Sequence, residues 1–340
     1  MKAQDCVVVA SSQDSLAQKI AQVTHSDMVE VEVDRFPDSE SAVKFDKTTE
    51  AIRGKTAIIV QSFSFISQKH SINSQLMRFL FLSHQVKAYG ARRVIAVVPY
   101  LPYIRQCRSV CGTYVGPLEA LGRFFKSAGI DKIITCDVHE ALCHSLLSVP
   151  ISEMKLADFW KQQLSFHLNN EDIPNLCFVS PDRGGINRVK EMAYAYSADW
   201  AFIEKKRFGL KESKAVELIG NVQGKIVVML DDIIDSANSA VGACKLLVEK
   251  GAKRVIGCFT HAILSKDAIA KIERSGMEAV MITNTIVKEE LSDGGRISVV
   301  SIDKALGNFV QKIILKDEIK VAEKITWQQN CTTRIKSEQL

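Results

Sequence analysis

The amino-acid sequence predicts an α/β protein of two related halves, each a mostly parallel sheet flanked by helices, and three observations lead there. Short apolar runs such as Val7–Ala10, Thr56–Val60, Val94–Val98 and Ile226–Leu230 alternate with stretches of helical spacing, the order that builds parallel sheets with helical crossovers. In addition, Gly90-Ala-Arg-Arg-Val-Ile-Ala-Val-Val-Pro99 lines up with Gly251-Ala-Lys-Arg-Val-Ile-Gly-Cys-Phe-Thr260, as a duplication would leave it. Size agrees: 340 residues can bury two ordinary cores, and 46% hydrophobic with 24% charged is a soluble globular composition. In such a fold, ligands gather at the carboxyl ends of the strands.

The first half begins with the buried strand Val7–Ala10, followed by an amphipathic helix with Leu16, Ile20 and Val23 on one face. Val29 to Val33 alternates strictly. Arg35-Phe36-Pro37-Asp38-Ser39-Glu40 interrupts it before a second alternating run, Ser41 to Phe45, which is the pattern of a hairpin with a polar projecting tip. After the strand Thr56–Val60, Ile72 to Gly90 has the spacing of a long helix with Leu76, Phe79, Leu80 and Val86 turned inward. Val94–Val98 is the next strand. It leads through Tyr100 to Arg105, Gln106, Cys107 and Arg108, a loop to Pro117, a helix to Ala128, and the strand Lys132–Thr135 that ends at Cys136-Asp137-Val138-His139. Arg105, Asp137 and His139 thus fall beyond strand ends, with Asp137 suited to orienting or fixing a loop.

The second half repeats this plan from Cys177-Phe-Val-Ser-Pro-Asp182-Arg-Gly-Gly185, a strand, turn and helix start. Trp200–Ile203 is a strand leading to Glu204-Lys205-Lys206-Arg207, whose plainest reading is a solvated turn. Ile226–Leu230 reads as a strand buried on both faces, and Ala240 to Lys250 as a helix closed by Gly251. Between them Asp231-Asp232-Ile-Ile-Asp235-Ser236-Ala237-Asn238-Ser239 forms an acidic, hydroxyl-rich turn. Backbone N–H groups and hydroxyls before a helix N-terminus favour an anion, above all a phosphate. The carboxylates of Asp231 and Asp232 fit a phosphate borne on a sugar, because they can accept hydrogen bonds from vicinal hydroxyls or hold a magnesium ion. A polar helix cap would use the same residue types. The halves are expected to divide near Pro150, and beyond Leu315 the pattern fades into a polar extension.

Composition excludes several classes. No apolar run approaches the roughly 20 residues that span a bilayer, and the first residues lack a basic start and apolar core, so the expectation is a cytoplasmic protein with no membrane partner. Nine cysteines without a C-x-x-C pair, several inside apolar segments (Cys6, Cys177, Cys244, Cys258), point to neither disulfides nor structural zinc. A net charge of +5 spread along the chain suits small anionic substrates and lacks the clustered basic stripe of a nucleic-acid surface.

With these pieces in place the chain, to about residue 315, resembles the ribose-phosphate pyrophosphokinase (PRPP synthetase) family as a divergent member. The motifs are Arg35-Phe-Pro-Asp-Ser-Glu40, Arg105-Gln-x-Arg108, Asp137-Val-His-Glu140, Ser180-Pro-Asp-x-Gly-Gly185 and the acidic loop from Asp231, with Thr260-His261-x-x-Leu264-Ser265 and Ile282-Thr-Asn-Thr-Ile286 in support. The resemblance implies two phosphoribosyltransferase-like domains, 1–150 and 151–315, with 316–340 as an extension. It implies transfer of the β,γ-pyrophosphoryl group of ATP to ribose 5-phosphate with magnesium, giving 5-phosphoribosyl 1-diphosphate and AMP. By the same resemblance Lys205 and Arg207 are the catalytic basic pair, and His139 and Asp182 the magnesium contacts. Phe36, Asp38 and Glu40 would reach the nucleotide site of an adjacent subunit, facing Arg105 and Gln106, in a homo-oligomer built from dimers and as large as a hexamer. Asp235, Ser236, Ala237, Asn238 and Ser239 would take the 5-phosphate, and Asp231 and Asp232 the ribose hydroxyls.

Departures from the family accompany the likeness. Cys107 replaces an acidic residue, Arg183 an alanine, and Asn238 the glycine of the phosphate loop, where asparagine is the side chain that best tolerates a left-handed backbone. Ser109 to Pro117 lacks the Ser-Arg-Ala-Pro run of the family's phosphate and ADP regulatory site. A weakly active or inactive homologue, binding nucleotide as a regulatory subunit, is therefore the competing expectation. A transferase that consumes PRPP would need one such domain rather than two.

Overall fold

Strand β1 (Cys6–Ala10) shows why the apolar runs are unbroken: Cys6, Val8 and Ala10 face one core and Val7 and Val9 another, all buried. A strand covered on both faces has no polar side to alternate with. The computed structural model describes residues 5–10, 14–38, 40–45, 49–64, 71–107, 116–207, 214–286, 291 and 294–317, with the side chains of 33, 35, 205–207 and 214–216 left aside.

The first sheet adds β2 (Asp27–Arg35), β3 (Ser41–Phe45), β4 (Thr56–Val60), β5 (Arg93–Val97), β6 (Lys132–Cys136) and β7 (Ile151–Met154), in the order β3-β2-β1-β4-β5-β6-β7. The second is formed by β8 (Leu176–Ser180), β9 (Asp199–Arg207), β10 (Lys214–Ile219), β11 (Ile226–Ile234), β12 (Arg254–Ala262), β13 (Ala279–Thr283) and β14 (Ile297–Val300), in the order β10-β9-β8-β11-β12-β13-β14. Each sheet is parallel except for one edge hairpin, β2 with β3 and β9 with β10.

Identical topology makes the duplication visible, and it extends to single hydrogen bonds. Gly90 and Gly251, aligned in the sequence echo, have φ of 89° and 85°, which glycine adopts without a Cβ penalty. Gly54 N–H donates to the Gly90 carbonyl and Gly224 N–H to the Gly251 carbonyl, both at 2.8 Å.

Helices divide into an inner and two outer layers. The inner layer is α1 (Ser15–Thr24), α5 (Ala157–Leu164), α6 (Ile186–Tyr196) and α9 (303–317), contributing Leu16, Phe159, Trp160, Met192, Leu306 and Val310 to one core shared by the facing sides of both sheets. Burial of each such side chain stabilises by roughly 1.5–3 kcal/mol. Over the outer face of the first sheet lie α2 (Ile72–Ala88), α3 (Pro117–Ser127) and the short α4 (Cys143–Leu146), while α7 (Asn238–Glu249) and α8 (Ala268–Glu273) cover the second. Among the described residues no helix is long and apolar enough to cross a membrane.

Two boundaries differ from expectation. β7 pairs with β6, so the first sheet takes in Ile151–Met154, beyond the expected division at 150. The last helix runs past 315 and is tied to the first half, because Asp317 accepts from Arg93 at 2.7 Å and from Lys132 at 2.6 Å. Periodicity identifies an element but not the sheet or layer it joins, which long-range packing decides. The loop at 108–115 and the tail from 318 lie outside the described residues, and with them the expected lack of a regulatory run.

Candidate active site

The carboxyl end of β11 does not become a turn at Asp231. The strand continues to Ile234, with Asp231 opposite Phe259 and Ile233 opposite His261 of β12, so the two acids belong to the sheet rather than to a loop. Cross-strand pairing outweighs the low strand propensity of aspartate. Asp232 is 4% exposed; its Oδ2 lies 2.7 Å from His139 Nδ1, beyond β6 of the other sheet. Its backbone N–H donates to Asp231 Oδ1 at 3.0 Å. Arg188, in the first turn of α6, brings Nη1 to 3.5 Å from Asp231 Oδ1 and 3.5 Å from Asp232 Oδ1.

These contacts separate the two carboxyls chemically. Burial pushes Asp231 well above the usual carboxylate range, and the adjacent Asp232 charge adds to it. For Asp232 burial also acts upward, but the His139 hydrogen bond and the Arg188 charge outweigh it and hold the group well below that range. His139 is raised in turn, chiefly by its hydrogen bond to Asp232. The two carboxyls therefore hold their protons with different strength, Asp231 the more firmly.

Asp182 follows β8, and its carboxylate accepts from Gly184 N–H at 2.8 Å, with the Ser180 hydroxyl closing the turn onto the Asp182 carbonyl at 2.7 Å. A Cβ at Gly185 would stand 2.4 Å from Ser180 Oγ, so any other residue there would displace the hydroxyl that closes this turn. The charge of Asp182 is felt by both His139 and Asp231, so the groups share one site. Among the described residues no three His, Cys, Asp or Glu side chains converge as a metal cage.

Asp137 holds the two sheets in register behind this site. Its backbone is left-handed at φ 31°, Oδ1 accepts from Leu156 N–H at 3.1 Å, and Oδ2 accepts from the Thr260 hydroxyl at 2.6 Å. His261, buried, places Nε2 3.2 Å from the carbonyls of Cys136 and Asp137, which fixes Nε2 as the protonated nitrogen, and its burial lowers its pKa. Asp137 therefore has the orienting, loop-fixing geometry expected of it.

Beyond β11 comes the loop Asp235-Ser236-Ala237, and α7 begins at Asn238, two residues earlier than its apolar pattern suggests. The left-handed residue is Ala237, at φ 60°, not Asn238. This corrects the expectation that Asn238, in place of the loop glycine, would have to tolerate a left-handed backbone; it stands in the first helical turn, and alanine takes the strained position. Val241 N–H donates to the Ala237 carbonyl at 2.9 Å, and no side-chain hydrogen bond caps the helix; a helix N-terminus is where an anion is favoured.

Arg105 joins this loop to the first half through an ion pair of 2.7 Å between its Nη1 and Asp235 Oδ2. Ile72, Tyr100, Pro102, Tyr103, Arg105 and Gln106 line a cleft of about 430 Å³ beside it. The hairpin tip stands apart. Phe36 is 57% exposed, its N–H donates to the Glu40 carbonyl at 2.9 Å, and Asp38 Oδ1 accepts from Glu40 N–H at 3.0 Å, contacts internal to the tip. Lys205 and Arg207 lie on β9, opposite Val216 and Lys214 of β10, so the alternative of a solvated turn after the strand does not hold; their side chains lie outside the described residues. Arg183 pairs with Glu204 at 2.5 Å.

The structure thus brings Asp231, Asp232, His139 and Asp182 together, sets Asp235 to Ser239 next to Arg105, and leaves Phe36, Asp38 and Glu40 at an exposed tip. Sequence reasoning missed Arg188. A lone charged residue in the helix turn just after Gly184-Gly185 was the available signal.

Comparison with known proteins agrees along the chain. Residues 6–120 match the N-terminal domain of ribose phosphate pyrophosphokinase and residues 201–321 the phosphoribosyl synthetase-associated domain. The ribose-phosphate pyrophosphokinase of Bacillus cereus is 30% identical over 92% of this chain and 94% of its own, and that of Thermotoga maritima 31% identical over 88% and 91%. The crystal structure of phosphoribosylpyrophosphate synthetase from Mycobacterium smegmatis superposes with a TM-score of 0.81 at 26% identity, covering 92% of this chain and 99% of that one. Two duplicated sheets, an acidic pair within the fourth strand of the second, and likeness over nearly the whole length place this chain in the ribose-phosphate pyrophosphokinase family of transferases.

Proposed function

We propose that the protein transfers the pyrophosphoryl group of ATP to the anomeric hydroxyl of ribose 5-phosphate, forming 5-phosphoribosyl 1-diphosphate and AMP. The observation that carries this reading is the 2.7 Å pair between Arg105, on the cleft of the first half, and Asp235, in the anion loop of the second. It joins the two loops proposed here for nucleotide and sugar phosphate, which supports the contiguity that direct transfer between two bound substrates requires. The α7 N-terminus, with Ser236 and Ser239, takes the 5-phosphate. Asp231 and Asp232 take the vicinal ribose hydroxyls and fix the sugar's orientation. Arg105 and Gln106 hold the nucleotide, and Lys205 and Arg207 on β9 neutralise charge on the transferring group.

The donor set favours a magnesium ion carried by polyphosphate over a caged one, because magnesium takes oxygen ligands, keeps several waters and uses one or two carboxylates. Asp182 and His139 would hold it, and it would supply neutralisation of developing phosphate charge.

The exposed tip with Phe36, Asp38 and Glu40 supports a site completed by a second copy, and hence an oligomer built from dimers; light scattering that returned a monomer at working concentration would remove this part. Cys107, in place of an acidic residue beside Gln106, supports the alternative of an impaired homologue that regulates an active enzyme. A coupled assay of AMP release from ATP, with and without ribose 5-phosphate, separates the two. Release that depends on the sugar phosphate is expected; nucleotide binding without release would give the reading to the regulatory subunit.

A further inference from the structure

The sequence echo that aligns Pro99 with Thr260 puts Tyr100 and His261 at matching positions in the two halves, and the fold brings their rings together, with centroids 5.0 Å apart. His261 uses both ring nitrogens inside the protein, Nδ1 with the Thr285 hydroxyl at 3.0 Å and Nε2 with the carbonyls of Cys136 and Asp137. Tyr100 differs. It is 7% exposed, yet among the described residues its hydroxyl has no hydrogen-bond partner. The one buried side-chain polar atom left without a partner among those residues is Gln85 Oε1, so the Tyr100 hydroxyl keeps a face open to the cleft that Tyr100 lines with Arg105 and Gln106. A tyrosine buried this far ordinarily finds a partner for its hydroxyl, because leaving it unmet costs free energy. Burial raises the pKa of this hydroxyl, the Arg105 charge lowers it, and Asp235 and Asp232 raise it, so a phenol that keeps its proton stands where the Arg105 loop meets the Asp235 loop.

We propose that Tyr100 is a binding residue for the transferring end of the nucleotide: with its ring seated on His261, its hydroxyl donates a hydrogen bond to a β- or γ-phosphate oxygen. Those phosphates must lie where the two loops meet if they are to pass from one substrate to the other, and a neutral donor there adds no charge beside the carboxylates. The identity of the transferring group rests on the function proposed above; the open hydroxyl does not.

Calorimetric titration with ATP and with AMP, in magnesium and without ribose 5-phosphate, tests it. Tyr100→Phe keeps the ring and its contact with His261 and removes one oxygen. The variant should bind ATP about tenfold more weakly or worse, the order expected for a lost hydrogen bond to a charged group, and bind AMP, which lacks both phosphates, within about threefold of the natural chain. Its urea midpoint should not fall, because the hydroxyl has no partner in the fold among the described residues. Unchanged ATP affinity, or an equal loss for AMP, overturns the proposal. A variant that unfolds in less urea or fails to fold overturns it as well, since the hydroxyl would then serve the fold rather than a ligand. A natural chain that binds ATP but releases no AMP with ribose 5-phosphate would sink the proposed function and leave the contrast between ATP and AMP standing.

Discussion

β4 and β11 hold the same place in the two sheets and end in opposite ways. β11 runs on through Asp231 and Asp232 to the loop Asp235–Ala237 and a helix with no side-chain cap. β4 stops at Val60, and the next residues close on themselves: Phe63 is fully buried with its ring 5.7 Å from that of Phe79, Ser64 N–H donates to Gln75 Oε1 at 3.2 Å, and Gln75 Nε2 donates back to the Ser64 carbonyl. One copy of the duplicated strand end was filled by core, and the other was left able to meet a ligand. The fold provides the position, and the residues at the strand end decide whether it becomes a site.

The sharpest way to break this comparison is to exchange the roles by mutation. Phe63→Ala should destabilise the protein by about 3–5 kcal/mol, the usual cost of emptying a buried phenylalanine site, without changing the KM for either substrate. Urea unfolding and steady-state kinetics read the two quantities. A variant of normal stability, or one that loses ribose 5-phosphate affinity, would mean that the first-half strand end is not the closed counterpart described here.

At the other strand end the loss should fall on function. Asp232→Asn keeps the shape but removes the charge shared by His139 and Arg188, and it should lower kcat/KM for ribose 5-phosphate by about a hundredfold or more, some 2.7 kcal/mol of transition-state stabilisation. Its urea midpoint should move much less than that of Phe63→Ala. Equal losses of stability in the two variants would erase the distinction between filled and open ends.

Much of this contrast could be read from the chain beforehand, for local reasons. Ile226–Leu230 announced a doubly covered strand because both its faces meet hydrophobic cores, and Gly90 and Gly251 announced the duplication because both need a left-handed turn. The acidic pair and His139 were singled out from motif and position, and the fold brings His139 within 2.7 Å of Asp232. What stayed hidden depends on partners far along the chain. The Asp137 bond to Thr260 spans 123 positions, Asp317 pairs with Arg93 across 224, and Arg188 meets its carboxylates across a layer of the fold. The placement of Ala237 was missed for a different reason: the residue favoured for a left-handed backbone stood next to the one that adopts it.

That last point gives a pair of opposite, smaller effects. Ala237→Gly removes a Cβ from a left-handed residue and gains about 1 kcal/mol, partly offset by the greater freedom of the unfolded chain. Asn238→Gly puts glycine into a helical turn and should cost roughly 0.5–1 kcal/mol. Neither should change the KM for ribose 5-phosphate by more than about tenfold, or roughly 1.4 kcal/mol. Calorimetric melting of both variants reads the signs, and stabilisation by Asn238→Gly with loss from Ala237→Gly would restore the expectation drawn from sequence.

The smallest expected effect concerns the charge state of the open strand end, and it appears as a dependence on pH. His139 is raised by its hydrogen bond to Asp232, so its contribution to stability is fully present below its unfolded pKa, near 6.5, and is lost as pH rises through the higher folded value. Asp232 is held low by His139 and Arg188 against the effect of burial, so its contribution is present above its unfolded pKa, near 3.9, and is lost only as pH falls through the folded value. Both conditions hold together between about pH 4 and 6.5. His139→Asn, which keeps a polar group of similar reach but cannot carry the charge, should therefore cost more stability at pH 5.5 than at pH 8.5. The first-half strand end has no such pair between Val60 and Ser64, so Phe63→Ala should cost the same at both. Urea midpoints for the two variants at the two pH values give the comparison directly. An equal loss from His139→Asn at both would mean that His139 and Asp232 share a neutral hydrogen bond, and the electrostatic difference between the two strand ends would have to rest on Arg188 alone.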